Sequence, residues 1–263
     1  MSYVINNCDS GLLELDPSQI EGENVSSLRR QFENAEPFHH LVIDQFLDPL
    51  LAIQLECELR NLPEKTWVDE SSAFHYINNQ QDGPTQSKKV ALNDRAKIPS
   101  IATRVIDFFQ SPAMLSFLSS VTGIEEPLLA DETMLGGGVH RTTAGGKLAI
   151  HCDFNLHPTT GKHRRLNALL YLNTGWKPEH QGELELWPSS MEGCLRKIEP
   201  LSNRLVIFRI RDDALHGHPE PWRGSKAFPR MSLALYYYTD DRPEGEKAPF
   251  HWARWFPRFG DHY

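Results

Sequence analysis

The sequence predicts a mainly β fold of the α+β class: a jelly-roll, double-sheet barrel buttressed by helices from the N-terminal half. Two observations carry this expectation. Between about 131 and 239, short segments of alternating apolar residues are separated by turns containing Gly and Pro, the pattern of antiparallel all-β architectures. Upstream, over residues 50–62 and 99–121, apolar residues recur instead at helical spacing.

In chain order, residues 1–36 are polar and mixed, with one short helix expected around Val25 to Asn34, and form an N-terminal extension. The stretch Phe38 to Asp44 resembles an entering strand. Asp48-Pro49 then supplies an N-cap followed by proline at the first helical position, predicting a helix over Leu50 to Leu62 ended by Pro63. A loop rich in Asn, Gln, Gly and Pro spans Asn78 to Gln86, and two helices separated by Ser111-Pro112 cover 99–121. Residues 37–130 are therefore a helical support region and 131–263 the jelly-roll core. Its strands are expected at Lys147–Asp153, Leu166–Asn173, Glu183–Trp187, Arg204–Ile210 and Met231–Tyr238.

A chain of 263 residues can bury a substantial core without disulfides. Its formal charge of −8 argues against general affinity for nucleic acid or anionic membranes, both of which require clustered Lys/Arg opposing phosphate. A small-molecule or peptide substrate fits better. Cys8, Cys57, Cys152 and Cys194 show no paired zinc or redox spacing. There is no basic, apolar leader and no run long enough to span a membrane, so a reduced, cytoplasmic protein is expected.

The chemistry concentrates in His151-Cys152-Asp153. Side chains alternate along a strand, so His151 and Asp153 share one face and Cys152 points the other way. By the same alternation, Lys147 and Ala149 join the ligand face while Leu148 and Ile150 join the outer packing. Downstream, His216 follows the strand Leu205 to Phe208, and Arg230 opens the last alternating strand with Ser232 on its side. Two imidazoles and one carboxylate hold non-haem Fe(II) on one face and leave the other open. An arginine one strand further on can clamp the far carboxylate of a keto-acid co-substrate. Asn167, Leu169 and Tyr171 share a face of their strand and are pocket candidates. His216 and His218, two residues apart, compete for the third coordination position.

These residues carry a resemblance to a known family. His151-Cys-Asp153, Leu169-Leu-Tyr171-Leu-Asn173 with Trp176, Gly182 to Trp187, Arg204 to Phe208, Leu215-His216-Gly217 and Arg230-Met-Ser-Leu233 together resemble the prolyl 4-hydroxylase-like branch of the Fe(II)/2-oxoglutarate dioxygenases. The resemblance implies a double-stranded β-helix (jelly-roll, cupin-like) core, with His151, Asp153 and His216 as iron ligands. It favours His216 over His218. It also implies that Arg230, with Tyr171 and Ser232 beside it, binds 2-oxoglutarate. Arg164, Asn167, Leu169 and Trp187 are the substrate-binding candidates; the bland reading of His163-Arg164-Arg165 is a solvated hairpin shoulder. Relatives often carry a tyrosine about ten residues before the first ligand, where this chain has Val139-His140-Arg141. His140 or Arg141 could take its place in contacting the co-substrate, but the reading preferred for each is a solvent-facing strand-edge residue. The tail Trp252-Ala-Arg-Trp255-Phe256 reads as sheet covering.

The activity the resemblance implies uses Fe(II), 2-oxoglutarate and O2. It hydroxylates an aliphatic C–H of a prolyl or other amino-acid-derived substrate and releases succinate and CO2. In related halogenases the carboxylate ligand is replaced by a small residue; Asp153 is present here, which favours hydroxylation. Two alternatives stand beside this: a protein-modifying hydroxylase acting on a folded partner, and a non-catalytic jelly-roll metal-binding or sensor protein.

Overall fold

The computed structural model describes residues 6–7, 13–14, 23–67 and 85–261. Among the described residues, four α-helices come from the N-terminal half: α1 (Glu23–Glu33), α2 (Pro49–Arg60), α3 (Ser100–Phe109) and α4 (Pro112–Thr122). The cap read from sequence at the start of α2 forms, and two more cap the ends of α4. The Asp48 carboxylate accepts from the Leu50 and Leu51 N–H groups at 2.9 and 3.1 Å, with Pro49 at the first helical position. The Ser111 hydroxyl accepts from Met114 N, and Gly123 closes α4 at φ +67°, a left-handed conformation that glycine adopts without strain.

The strands of the main sheet are β1 (His40–Ile43), β2 (Gln86–Leu92), β3 (Leu129–Ala130), β4 (Gly138–Cys152), β5 (His163–Tyr171), β6 (Leu184–Trp187), β7 (Arg196–Ile198), β8 (Leu205–Arg209), β9 (Leu215–His218), β10 (Arg230–Thr239) and β11 (Arg254–Trp255). A separate two-stranded ribbon joins Asn6–Asn7 to Leu13–Glu14. The main sheet runs β1-β8-β5-β10-β4-β9-β6-β7, with β2 and β11 also pairing with β4 and β3 with β10, all antiparallel. Strand β4 belongs to both halves: residues 138–142 pair with β10 and residues 148–151 with β9. The sheet folds over along it, so that side chains of both halves line one cavity. This is the mainly antiparallel jelly-roll expected from sequence.

Period-two alternation sorts the core. Leu166, Ala168 and Leu170 of β5, Leu205 and Ile207 of β8, and Met231, Leu233 and Leu235 of β10 pack against the helices, among them Leu55, Val105, Phe109 and Phe117. The residues between them face the barrel interior, where Tyr171, Leu184, Leu186, Val206 and Phe208 form a second cluster. Glu56 of α2 is a buried carboxylate held by Arg60, by Thr174 N and Oγ1, and by Ser202 Oγ, which ties the helical layer to the end of β5.

Several expectations need correction. The loop Asn78 to Gln86 lies outside the described residues except for Thr85 and Gln86, and Gln86 opens a strand, β2, that the sequence did not signal. Its first half, Gln86-Ser87-Lys88-Lys89, is polar throughout and interrupted by a register shift, with Lys88 at φ +50°. Pairing with β4 imposes the extended conformation that composition does not suggest. His216 follows β8 as expected, but it lies in a further short strand, β9, that the sequence did not signal and that pairs with β4 and β6. The alternation along β4 also breaks. His216 faces His151 while His218 faces Leu148, so three steps on β4 match two on β9, and the bulge turns Leu148 into the cavity together with His151.

Gly217 sits at this bulge. A Cβ there would lie 2.5 Å from the Ala149 carbonyl oxygen and 2.8 Å from that of Leu148, both backbone atoms that cannot rotate away. Gly217→Ala should therefore push β9 off β4 and cost about 1–3 kcal/mol of stability, measured by chemical denaturation, with weakened metal binding as its second sign.

Candidate metal centre and its cavity

His151 and Asp153 stand at the end of β4, and His216 is brought opposite by the β9 pairing. Their ligand atoms all lie within 4.8 Å of one another. The His151 Nε2 is 3.6 Å from Asp153 Oδ1, and the His216 Nε2 is 3.4 Å from Asp153 Oδ2. The tautomers follow from the neighbours. His151 Nδ1 lies 2.9 Å from the Ala149 carbonyl oxygen and His216 Nδ1 3.0 Å from that of Ala214. A carbonyl can only accept, so each Nδ1 carries the proton and each Nε2 presents a lone pair. Three electron-pair donors thus converge with no proton between them, which is the chemistry a cation resolves. The set of two imidazoles and one carboxylate fits non-haem Fe(II).

Asp153 is oriented by a buried network. Asn167 Nδ2 donates to its Oδ2 at 2.8 Å, and Arg164 Nη2 pairs with the same oxygen at 3.2 Å. Arg164 in turn donates through Nε and Nη2 to Asn167 Oδ1, and its guanidinium lies 3.5 Å over the Tyr236 ring and 4.4 Å over Phe154. Burial would raise the Asp153 pKa, but the positive charge of Arg164, with His216 and His151, holds it well below the ordinary carboxylate range. Burial, then the charge of His151, lowers His216 to about 4, so its ring stays neutral and able to ligate. Cys152 points away into a separate apolar cluster, where burial pushes its thiol up to about 11 and leaves it inert.

The triad opens into a cavity of about 200 Å³. Arg230 lies on its wall, 6 % exposed, with Nε donating to the Gly182 carbonyl at 2.7 Å and Nη2 to the Tyr171 hydroxyl at 3.3 Å. Ser232 is the cross-strand partner of Tyr171, and both line the cavity. Asn167 and Leu169 line it as well, so the face assigned to β5 from its period is the face observed.

Other placements differ from the sequence reading. Arg164 and Arg165 are each 1 % exposed, so the basic run is not a solvated shoulder. They part to opposite sides: Arg164 enters the cavity, while Arg165 bonds Thr239 and pairs with Glu126. Trp187 does not line the cavity. Its ring packs with Ile150, Cys152 and Leu215, and its Nε1 donates to Glu185, because an odd step along β6 from Leu184 turns it outward. His140 is buried and cavity-lining rather than solvent-facing, with Nε2 3.1 Å from the Gly136 carbonyl oxygen. Arg141, on the opposite face, pairs with Glu64 and stacks on Trp67.

Residues missed from sequence are Leu148, His218, Trp255 and the β2 side chains Gln86, Lys89, Val90 and Ala91, all on the cavity wall. Trp255, in the tail read as sheet covering, pairs with His151 in register and lies ring to ring with it at 5.1 Å. The two-residue step from His216 already put His218 on the right face; no signal marked β2.

Residues 137–238 match the sequence model of the 2OG-Fe(II) oxygenase superfamily. No curated protein sequence matches the chain. Solved structures share the fold. A prolyl hydroxylase from Trichoplax adhaerens, solved with a hypoxia-inducible-factor peptide fragment, superposes at a TM-score of 0.57 with 17 % identity over 82 % of this chain and 89 % of that one. A Pseudomonas putida prolyl-4-hydroxylase does so at 0.54 with 17 % identity over 81 % and 98 %. HygX from Streptomyces hygroscopicus, with nickel, 2-oxoglutarate and hygromycin B bound, does so at 0.51 with 15 % identity over 87 % and 95 %. With the matched stretch containing the triad, the arginine and the tyrosine together, this chain carries a 2OG-Fe(II) oxygenase domain, for which Fe(II) is the cofactor and 2-oxoglutarate and O2 are the co-substrates.

Proposed function

We propose that the protein hydroxylates an aliphatic C–H of a prolyl or other amino-acid-derived substrate, converting 2-oxoglutarate to succinate and CO2. The observation that carries this reading is the convergence of the His151, Asp153 and His216 ligand atoms on the wall of the cavity that also holds Arg230. Fe(II), when bound, supplies the oxidative decarboxylation of the keto acid and the activation of O2. The chain's own residues bind and orient. His151 and His216 direct their Nε2 lone pairs inward because their Nδ1 protons are spent on backbone carbonyls. Asn167 and Arg164 fix the rotation of the Asp153 carboxylate. Arg230 offers its free guanidinium N–H groups to the distal carboxylate of 2-oxoglutarate, with Tyr171 and Ser232 beside it.

The substrate reading rests on size and lining. A cavity of about 200 Å³, below the roughly 300–1,000 Å³ of pockets that enclose drug-sized molecules, must also admit 2-oxoglutarate, which supports a substrate that presents one small unit to it and keeps any remainder outside. Val90, Ala91, Phe154, Tyr236 and Trp255 offer apolar contact to such a unit, and Gln86 a polar one. Arg164 is committed to Asp153 and Asn167, which supports a positioning role over direct capture of a substrate carboxylate. Cys57, Cys152 and Cys194 are free thiols, in keeping with a cytoplasmic location, and no described helix is long and apolar enough to cross a membrane.

The test is succinate formation from 2-oxoglutarate by the Fe(II)-loaded protein across a panel of free and peptide-bound amino acids. One or more members should stimulate turnover and gain 16 Da. A panel that yields neither succinate above background nor O2 consumption overturns the reading.

A further inference from the structure

His218 is 3 % exposed, lines the cavity, and has no hydrogen-bond partner on either ring nitrogen among the described residues. A buried polar group left without a partner is unfavourable, and an apolar side chain would fill the same space without that cost. Its cross-strand partner Leu148 on β4 is apolar, as is Leu184, the next residue along β6 after the Glu185 that pairs with Gly217, so neither adjacent strand calls for an imidazole there. The cavity wall it shares is cationic and polar, with Arg230, Lys89, His140 and Ser232 all lining it. At strand rise His218 stands roughly 6.6 Å along β9 from the ligand His216. This is the direction in which a keto acid leads from the triad to Arg230.

We propose that His218 is a further co-substrate-binding residue, its ring N–H donating to the distal carboxylate of 2-oxoglutarate alongside Arg230. Every protonation state of imidazole retains at least one N–H donor, so the contact needs no particular tautomer before binding. The carboxylate then accepts from a guanidinium fork on β10 and an imidazole on β9, two strands that pair with successive stretches of β4. Two donors held on separate strands fix the length of the keto acid as well as its charge. The site would therefore favour the five-carbon diacid over one a carbon shorter or longer. This inference rests on the function proposed above.

Calorimetric binding of 2-oxoglutarate to the Mn(II)-loaded protein tests it without turnover. The wild type should bind, which sets the baseline; absence of any wild-type binding sinks the underlying reading and this one with it. His218→Phe keeps the ring shape and His218→Leu the volume, and each should weaken 2-oxoglutarate by about tenfold or more, as expected for loss of a hydrogen bond to a charged group. His218→Gln retains a donor and should stay within about threefold of wild type. Mn(II) affinity should be unchanged in all three, and the metal-free Phe variant should melt no lower than wild type, because it replaces an unpartnered polar ring. If the Phe or Leu variant binds 2-oxoglutarate as wild type does, the proposal is wrong. The same holds if every variant loses Mn(II) affinity in parallel.

Discussion

Asp153→Ala is expected to abolish succinate formation, lowering turnover by about a thousandfold or more, since the several kcal/mol that a metal ion contributes to the reaction disappear with its hold on the site. The substitution has a second consequence that separates this carboxylate from an ordinary surface acid. Arg164, 1 % exposed, has Asp153 as its ionic partner, and truncation leaves its charge buried and uncompensated. Breaking a buried pair in this way costs about 3–5 kcal/mol, so the metal-free variant should unfold at distinctly lower denaturant. Combining Asp153→Ala with Arg164→Met should recover much of that stability while leaving turnover at background, a double-mutant cycle that separates fold from chemistry. Undiminished succinate formation in Asp153→Ala would refute the ligand assignment.

Arg230→Leu is the second large effect. Removing the guanidinium takes away the fork that meets the distal carboxylate and leaves the Tyr171 hydroxyl and the Gly182 carbonyl without their donor. Truncating one member of a buried charge pair costs about 2–5 kcal/mol, so the KM for 2-oxoglutarate should rise by about a hundredfold or more, with kcat at saturation changed much less. Metal affinity should stay intact, because Arg230 touches none of the three ligands. Arg230→Lys should recover only part of the loss: an ammonium supplies the charge but not the planar pair of donors. A KM within about threefold of wild type in the Leu variant would remove Arg230 from the co-substrate site.

Much of this architecture was legible because it rests on local periodicity. The two-residue alternation of β5 put Asn167, Leu169 and Tyr171 on the interior face, and the Asp48-Pro49 and Ser111-Pro112 pairs announced two helix starts. The His151–Asp153 step was legible for the same reason. What failed was whatever depends on a partner strand. β2 is extended because β4 pairs with it, not because Gln86-Ser-Lys-Lys favours extension. The bulge opposite Gly217 reversed the facing of Leu148, and a one-residue slip of this kind is invisible to any rule that counts by twos. Burial of Arg164 and Arg165 was hidden for another reason. Charged residues are mostly exposed by composition alone, and only the placement of Asp153, Asn167 and Glu126 shows where their charge is balanced.

Strand β4 carries β2 and β11 in succession along the edge opposite β10 and β9, and both come from outside the matched stretch 137–238. Gln86, Lys89, Val90 and Ala91 arrive from before it and Ala253 and Trp255 from after it, yet all six line the cavity that holds the triad. The chain is thus modular in an unusual sense: a central cassette holds the apparatus for oxygen chemistry, and two flanking ribbons finish the chamber walls. Such a division lets a lineage retarget the enzyme by altering its ends while the cassette stays constant, and it gives an engineer two short segments to graft before touching any residue near the iron.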